Sequence, residues 1–351
     1  MTYAILPNPR HKRVYLNHAN AMAVNELAFM KQRLSAPVTN IHTQDIGNLP
    51  YILFDAASQL TTADINLLSR LSFAYALFEL ANPQQSSSPI IPIATNPDYF
   101  IDEDISAILK YTGKTNELFT RLMLNLALSY QQTAGPIKLL DPMAGKGTTL
   151  YEGLMQNLDV YGIEIDPKPA HEAFVYIKKH FEMARYKHTS HTQKTGGIAQ
   201  DGKKFSATRY QVDVARSKEE QKANNSRKFE IIAGDTRHTA SYHKKDFFHI
   251  ILADLPYGVQ HHAKKKPHSG GLTRNALELV TEAMPGWMKV LKHGGVIALA
   301  WNLFLIDRGE MVKLFADHGL VVPDNMEEMD FSHRLDQATH RDLIIGVRRN
   351  V

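Results

Sequence analysis

Four predicted strands in the second part of the chain each end at an acidic residue that is followed by loop-forming residues. These residues are Asp141, Glu164, Asp235 and Asp254, and helical patterns separate the strands that precede them. Alternating strands and helices are typical of an open, mostly parallel sheet, whose ligands bind just beyond the carboxyl ends of the strands. Helix N-capping accounts for one or two such residues but not for four in succession. We therefore predict an α/β fold in which the four carboxylates share one ligand site.

The chain of 351 residues is long enough for two structural units. Residues 1–81 alternate short apolar runs with helical patterns and predict a small α+β domain, which is a candidate for RNA binding. Residues 82–98 are rich in Pro, Ser and Gln and predict a linker. The strand–helix alternation then occupies residues 99–351, with a basic insertion at 187–228.

The composition excludes several classes of site. There are no cysteines, which excludes disulfide scaffolds, zinc fingers, iron–sulfur clusters and a cysteine nucleophile. The 17 histidines lack the spacing of metal ligands, so we predict no metal site. The first residues lack the pattern of a signal peptide, and the longest apolar stretch is interrupted at Asn302 and too short to cross a bilayer. We expect a soluble, cytoplasmic protein with no membrane partner.

The loop Asp141-Pro-Met-Ala-Gly-Lys-Gly-Thr-Thr149 lacks the first glycine of a phosphate-binding P-loop and the third glycine of a dinucleotide fingerprint. A carboxylate beside this loop would also repel a pyrophosphate. The acidic residues favour a ligand with a cationic head and a neutral nucleoside, and S-adenosylmethionine is such a ligand. We predict that Asp141 binds its ammonium group, Glu164 its ribose hydroxyls and Asp235 its adenine amine, through charge-assisted hydrogen bonds.

The segment Asp254-Leu-Pro-Tyr257 predicts the methyl acceptor. In an exocyclic base amine, the nitrogen lone pair is delocalised into the ring. The Asp254 carboxylate and the Leu255 carbonyl would accept the two amine hydrogens and turn the lone pair toward the methyl group, while Tyr257 stacks on an extruded base. Alignment of nitrogen, methyl and sulfur would supply the rest of the rate. The predicted catalytic residues are Asp254, Leu255, Pro256 and Tyr257.

These motifs, together with Gly162-Ile-Glu-Ile-Asp166 and Gly234-Asp-Thr236, resemble those of the class I amino-methyltransferases. They are most similar to the RNA methylase family that includes the THUMP-associated tRNA guanosine-N2 methyltransferases, and the similarity covers roughly residues 99–350. The resemblance implies a Rossmann-like fold with a seven-stranded, mostly parallel sheet and an antiparallel last strand. Leu255 stands where the family usually has proline, but only the backbone carbonyl is needed there. Residues 1–98 show no full THUMP domain.

The resemblance also implies a larger set of cofactor-binding residues. Residues 110–120 match the family's pre-sheet motif, which closes over the methionine moiety of S-adenosylmethionine. Besides the carboxylates Asp141, Glu164, Asp235 and Asp254, the implied residues are Lys114, Thr115, Phe119, Met143, Gly145, Gly147, Thr148, Ile165 and Thr236.

A basic segment on a slightly acidic body predicts a polyanionic partner. Residues 178–228 contain 13 Lys or Arg against 5 Asp or Glu, a local charge of +8, whereas the whole chain carries +4. Attraction to phosphates is the sequence-independent part of nucleic-acid binding. The candidate nucleic-acid-binding residues are Lys203, Lys204, Arg209, Lys264, Lys265 and Lys266. For residues 187–228, a solvated, disordered insertion is the alternative to an RNA-binding hairpin.

Three functions are compatible with these patterns. The favoured one is an S-adenosylmethionine-dependent RNA methyltransferase acting on an exocyclic base amine, with guanosine N2 in tRNA preferred and rRNA as a further substrate class. A DNA methyltransferase acting on adenine N6 or cytosine N4 shares the Asp-x-Pro-Tyr chemistry. A non-catalytic RNA-binding protein with a vestigial methyltransferase fold is the third. A protein partner subunit stays open in each case.

Overall fold

A computed structural model describes residues 1–9, 16–81, 89–108, 116–131, 133, 135–198, 202–256 and 276–349. The N-terminal unit contains β1 (Thr2–Pro7), α1 (Leu16–Met30), β2 (Val38–Ile46), β3 (Leu49–Ala56), α2 (Thr62–Ser69), β4 (Ala74–Leu80) and β5 (Ile90–Ile93). Its strands form an antiparallel sheet in the order β2-β3-β1-β4-β5. The βαββαβ succession with this order is the ferredoxin-like arrangement. Leu27 of α1 and Leu68 of α2 share one apolar core with Phe54 of β3.

The boundary of the N-terminal unit differs from the predicted one. The predicted linker, residues 82–98, contains β5, which pairs with β4 from Leu80↔Ile90 to Leu77↔Ile93. Pro92 is compatible with this pairing because β5 is an edge strand, where a missing backbone donor is tolerated. The N-terminal sheet therefore extends into the stretch whose Pro and Ser content predicted a linker.

The C-terminal unit contains nine α-helices and ten strands in its described part. They are α3 (Asp104–Ile108), α4 (Glu117–Ser129), β6 (Lys138–Asp141), α5 (Thr148–Met155), β7 (Asp159–Glu164), α6 (Pro167–Met183), β8 (Lys187–Ile198), β9 (Lys204–Ala215), α7 (Lys218–Lys222), β10 (Arg227–Ala233), α8 (Thr239–Tyr242), β11 (Phe248–Asp254), α9 (Ala276–Val290), β12 (Leu291–Asn302), α10 (Arg308–Asp317), β13 (Leu320–Val321), α11 (Asp324–Glu327), β14 (His333–Arg334) and β15 (His340–Arg348), with a short 3-10 helix at Thr236–His238.

The sheet order confirms the predicted fold class. The strands run β13-β15-β12-β11-β6-β7-β10-β9-β8, with β14 beside β15. The pairs among β12, β11, β6, β7 and β10 are parallel, and β15 is inserted antiparallel beside β12. The seven strands from β10 to β13 form the Rossmann-like sheet of the class I methyltransferase fold, with its antiparallel last strand. The strands β7 and β10 lie on one side of β6, whereas β11 and β12 lie on its other side. This change of direction makes the carboxyl end of β6 the topological switch point of the sheet, where open α/β sheets have their ligand crevice.

Apolar clusters cover both faces of this sheet. Met123, Leu154 and Phe181, from α4, α5 and α6, pack on one face. Trp287 and Phe315, from α9 and α10, pack on the other face. Among the described residues, no helix is long and apolar enough to cross a membrane.

Candidate active site at the carboxyl edge of the parallel strands

The strand order brings three of the four predicted carboxylates to adjacent strand ends. Asp141 ends β6, Glu164 ends β7 and Asp254 ends β11. Because β6 lies between β7 and β11, Asp141 has an acidic neighbour on each side, and the negative charges of Glu164 and Asp254 act on it. Asp235 follows β10, one strand further out, and caps the 3-10 helix that starts at Thr236.

Asp141 is buried, with 4% of its surface exposed. One oxygen accepts the backbone N–H of Met143 at 3.0 Å, and the Thr149 side chain is a second hydrogen-bond partner. Burial raises the pKa of Asp141 to about 7, because desolvation disfavours the charged form more than the hydrogen bonds favour it. A cationic ligand group beside this carboxyl would favour ionisation.

The glycine loop that follows β6 is bound to the end of β7. The Gly145 N–H donates to Glu164 Oε2 at 2.9 Å, and the Asp166 N–H donates to Glu164 Oε1 at 2.9 Å. Gly145 and Gly147 adopt φ of +52° and +90°, a region in which side chains other than glycine are strained. Gly147 is the N-cap of α5, so Thr148 lies in the first turn of that helix and is buried. Burial also raises the pKa of Glu164.

The Asp235 carboxylate is bound by a neighbouring arginine that the sequence prediction did not include. Arg237 Nε lies 3.1 and 3.0 Å from the two oxygens, and Arg237 Nη2 lies 2.5 Å from Oδ2. Arg237 Nη1 also donates to Glu282 at 3.0 Å. Burial alone would raise the pKa of Asp235, but the hydrogen bonds from Arg237 lower it overall. Arg237 would therefore compete with an adenine amine for the Asp235 oxygens.

The family resemblance also implies cofactor binding by Phe119, Thr236 and Ile165, which lie in three different environments. Phe119 is buried, with the Arg341 guanidinium 4.3 Å from its ring centroid and the His333 ring at 5.1 Å. The Thr236 hydroxyl accepts from the indole N–H of Trp287 at 3.0 Å, inside the apolar cluster of α9. Ile165 is 59% exposed at the strand edge. The Phe119 and Thr236 side chains therefore contact protein groups in this structure, and Ile165 faces solvent.

The predicted catalytic segment begins at the end of β11. Asp254 Oδ2 lies 3.3 Å from Nη2 of Arg341, whose side chain is only 4% exposed. The Leu255 N–H donates to the Ala300 carbonyl at 2.8 Å, and the Leu255 side chain lies in the apolar core. Leucine therefore serves packing at the position that is usually proline in the resembled family. Pro256 is exposed.

Several predicted residues lie outside the described ranges. They are Lys114, Thr115, Tyr257, Lys264, Lys265 and Lys266.

The basic insertion contains a long hairpin. β8 and β9 pair antiparallel over twelve residues, from Lys187↔Ala215 to Ile198↔Lys204, and β9 extends the sheet beside β10. Lys203 and Lys204 are exposed near the tip. Arg209 is placed differently from the prediction, because its guanidinium donates to the Tyr242 carbonyl at 2.7 Å and lies 3.7 Å from the buried Glu230. Arg209 therefore contributes to packing between β9, β10 and α8 rather than to an exposed basic face.

Arg341 and Arg237 are the residues at this edge that sequence reasoning missed. Arg237 was detectable in principle, since it stands two positions after Asp235 and a 3-10 turn brings such neighbours together. Arg341 had no local signal, because it lies 87 residues after Asp254 and meets it through the pairing of β15 with β12. Among the described residues, no group of three or more His, Asp or Glu side chains could hold a metal ion.

No protein-family model and no curated protein sequence matches this chain. Solved structures similar to it include the rRNA methyltransferase AviRa of Streptomyces viridochromogenes, with 13% identity over 70% of this chain and 93% of that chain and a TM-score of 0.39. Magnesium protoporphyrin IX methyltransferase of Synechocystis PCC 6803, with bound SAM, has 10% identity over 68% of this chain and 86% of that chain, with a TM-score of 0.37. An rRNA methylase of Streptococcus thermophilus has 11% identity over 61% of this chain and 88% of that chain, with a TM-score of 0.32. The strand order of the chain itself shows the Rossmann-like fold.

Proposed function

We propose that this chain is an S-adenosylmethionine-dependent methyltransferase that acts on an exocyclic base amine in RNA, with guanosine N2 in tRNA as the preferred acceptor. The observation that carries the proposal is the meeting of Asp141, Glu164 and Asp254 at adjacent strand ends beside the switch point of the sheet. Ligands of open α/β sheets bind at such points.

The residues at this edge suit the chemistry of that cofactor. Its ammonium and sulfonium groups are cationic, and three carboxylates end adjacent strands at this edge. Glu164 accepts backbone N–H groups of the loops on both sides, including those of Gly145 and Asp166, and a carboxylate has further lone pairs that can accept from ribose hydroxyls. When bound, S-adenosylmethionine supplies an electrophilic methyl group. Asp141 would hold the ammonium, and the positive φ of Gly145 and Gly147 lets the loop backbone approach the ligand closely.

The ion pair of Asp254 and Arg341 suits an acceptor whose nitrogen must be oriented. A delocalised amine reacts only when its lone pair is turned out of the ring, and a fixed carboxylate that accepts one N–H achieves this together with the Leu255 carbonyl. Arg341 holds the carboxylate at 3.3 Å and is itself held against the Phe119 ring. The methylated nitrogen is acidic enough to release its proton afterwards, so no strong base is required.

Nucleic acid as the substrate is supported by the charge of the hairpin. Lys187, Lys194, Lys203 and Lys204 are exposed on β8, on β9 and at the connection between them. Exposed lysines interact with phosphates in a sequence-independent way. The preference for tRNA rests on the family resemblance of the four motifs.

The test is transfer of a radiolabelled methyl group from S-adenosylmethionine to total tRNA, rRNA and genomic DNA, followed by nucleoside chromatography. We expect label in N2-methylguanosine from tRNA. Asp254→Asn should lower transfer by about 100-fold or more, because a misplaced amine loses its alignment. Cofactor affinity, measured by calorimetry, should change little. Asp317→Asn, an exposed residue at the end of α10, is the matched control and should retain activity.

The other outcomes are equally informative. Label in DNA as N6-methyladenine or N4-methylcytosine would replace RNA by DNA as the substrate. Cofactor binding without transfer to any of the three pools would contradict the proposed acceptor. Absence of cofactor binding by a folded protein would overturn the proposal as a whole.

A further inference from the structure

Three lysines and a buried histidine meet at the opposite edge of the same sheet, where the parallel strands begin. Lys138 starts β6, His249 is the second residue of β11, and Lys292 is the second residue of β12. The strands β6 and β12 flank β11, so these residues are neighbours across the sheet. Lys244 lies in the turn before β11. β11 has seven residues and is about 20 Å long, so this edge is separate from the acidic site.

The lysines concentrate positive charge that few carboxylates offset. The Lys138 and Lys244 ammonium groups lie 4.0 and 5.5 Å from the centroid of the same Phe247 ring. Burial lowers the pKa of Lys138, and the charges of Lys244, Lys292 and Lys228 lower it further against the opposing effect of Asp159. Within the described residues, the nearby carboxylates are paired with other cations: Asp213 with Lys228, and Asp246 with both Arg348 and Lys245. None of these described ion pairs includes Lys138, Lys244 or Lys292.

The contacts of His249 indicate that this edge lacks a hydrogen-bond acceptor among its described residues. His249 is 9% exposed, and its Nδ1 accepts the backbone N–H of Lys138 at 2.9 Å. Burial and the charges of Lys292 and Lys138 lower the pKa of His249 to about 4, so the ring is neutral at pH 7 and carries its hydrogen on Nε2. Nε2 lies 3.0 Å from the Lys292 ammonium. Two hydrogen-bond donors therefore face each other.

We propose that Lys292, His249 and Lys138 form a binding site for a phosphate group, whose oxygen accepts from both the His249 Nε2–H and the Lys292 ammonium. An anionic oxygen resolves the donor–donor contact and offsets the clustered charge, because charge-assisted hydrogen bonds are stronger than neutral ones. The phosphate is either inorganic phosphate or a phosphodiester of RNA. The site is independent of the proposed methyl transfer.

The first experiment is long-range ¹H–¹⁵N NMR of the full chain labelled in histidine, titrated with inorganic phosphate at constant ionic strength. His249→Gln identifies the His249 signals. We expect the Nε2–H tautomer before phosphate is added, and a saturable shift of the Nε2 resonance as it binds. Lys292→Met should weaken phosphate binding about tenfold, as expected for one charge-assisted hydrogen bond. Lys289→Met, which removes the same charge from an exposed position on α9, should leave it unchanged.

A Nδ1–H tautomer in the phosphate-free protein, or a shift that does not saturate, would overturn the proposal. Equal weakening by both lysine variants would do the same, because it would show general charge attraction instead of a built site. Thermal unfolding of Lys292→Met verifies that the variant is folded.

The second experiment distinguishes the sources of the phosphate by fluorescence anisotropy of a labelled single-stranded RNA at several salt concentrations. If the phosphate belongs to RNA, Lys292→Met should reduce the slope of log affinity against log salt by about 0.7, and Lys289→Met should not. An unchanged slope together with weakened binding of inorganic phosphate would assign the site to the free anion.

Discussion

Asp141, Asp235 and Asp254 follow three strands of one sheet, but their surroundings differ. Burial raises the pKa of Asp141 to about 7, and its acidic neighbours Glu164 and Asp254 act in the same direction against the hydrogen bonds from Thr149 and Met143. Asp235 is bound by Arg237, which lowers its pKa overall despite partial burial. Asp254 is paired with Arg341 at 3.3 Å. Residues of one type at similar positions in the sequence pattern therefore have different partners, and the pKa values of Asp141 and Asp235 are shifted in opposite directions.

The raised pKa of Asp141 predicts a specific dependence of stability on pH. In the unfolded chain Asp141 ionises near its ordinary value of 3.8, whereas in the folded chain it holds its proton until about pH 7. Between these values the folded state binds more protons than the unfolded state, so the free energy of unfolding falls as pH rises. Relative to Asp141→Asn, the wild type should lose about 3 kcal/mol of stability between pH 4 and pH 7.

The measurement is urea unfolding of both proteins without cofactor at pH 4, 5.5, 7 and 8. Above about pH 8, where folded Asp141 is fully ionised, the difference between them should stay constant. Asp317→Asn, which removes an exposed carboxylate, should run parallel to the wild type. A difference between wild type and Asp141→Asn that does not change with pH would contradict the raised pKa.

At the scale of elements, the connection from β6 to α5 depends on two glycines with positive φ. Gly145 adopts φ of +52° in open surroundings, with no atom within 4 Å of an added Cβ. Gly147 adopts φ of +90° and would place a Cβ 3.3 Å from the Tyr151 ring. Tyr151 is buried and stacks on Phe229, so it has little room to move. A side chain at either position would therefore strain the backbone. Only at position 147 would its Cβ also crowd a neighbouring side chain.

Substitution of the two glycines by alanine should separate these effects. Gly145→Ala should cost about 1–2 kcal/mol, the strain of the left-handed region alone. Gly147→Ala should cost more, about 2–3 kcal/mol, because the Cβ also displaces Tyr151. Thermal and urea unfolding measure both values. Equal costs, or a larger cost for Gly145→Ala, would show that the Tyr151 contact is unimportant.

At the scale of the whole molecule, a buried polar network joins the two units. Glu26 of α1 is fully buried, and its carboxylate accepts hydrogen bonds from the backbone N–H and the hydroxyl of Ser72. The carboxylate also accepts from Asn125 Nδ2 on α4 at 2.7 Å. Asn125 Oδ1 accepts from Gln156 at 3.0 Å, just after α5. Because buried donors are costly to leave without an acceptor, the network couples the N-terminal unit to the helices beside the acidic site.

Glu26→Ala should therefore destabilise the protein by about 3 kcal/mol and reduce its folding cooperativity. Trp287 and Trp301 both lie in the C-terminal unit, so their fluorescence reports on that unit, whereas far-UV circular dichroism reports on both units. In the wild type the two urea transitions should coincide. In Glu26→Ala, circular dichroism should change at lower urea concentration than fluorescence. Glu328→Ala, at an exposed position after α11, is the control. Coincident transitions in Glu26→Ala would contradict the coupling.

The amino-acid sequence by itself determined the alternation of strands and helices, the acidic residues at the strand ends and therefore the class of fold. These features are local, since apolar periodicity and turn residues act within about ten neighbouring positions. The same local patterns misplaced the end of the N-terminal unit, because β5 is defined by its pairing with β4 and not by its Pro- and Ser-rich surroundings.

Only the tertiary structure decided which charged groups meet. The pairing of β15 with β12 brings Arg341 to Asp254, and the 3-10 helix after β10 brings Arg237 to Asp235. The pairing of β9 with β10 brings Arg209 to Glu230, and the adjacent starts of β11 and β12 bring Lys292 to His249. Contacts of this kind depend on strand order and burial, which set the distance and the dielectric surroundings of each charge. The sequence pattern contains neither quantity.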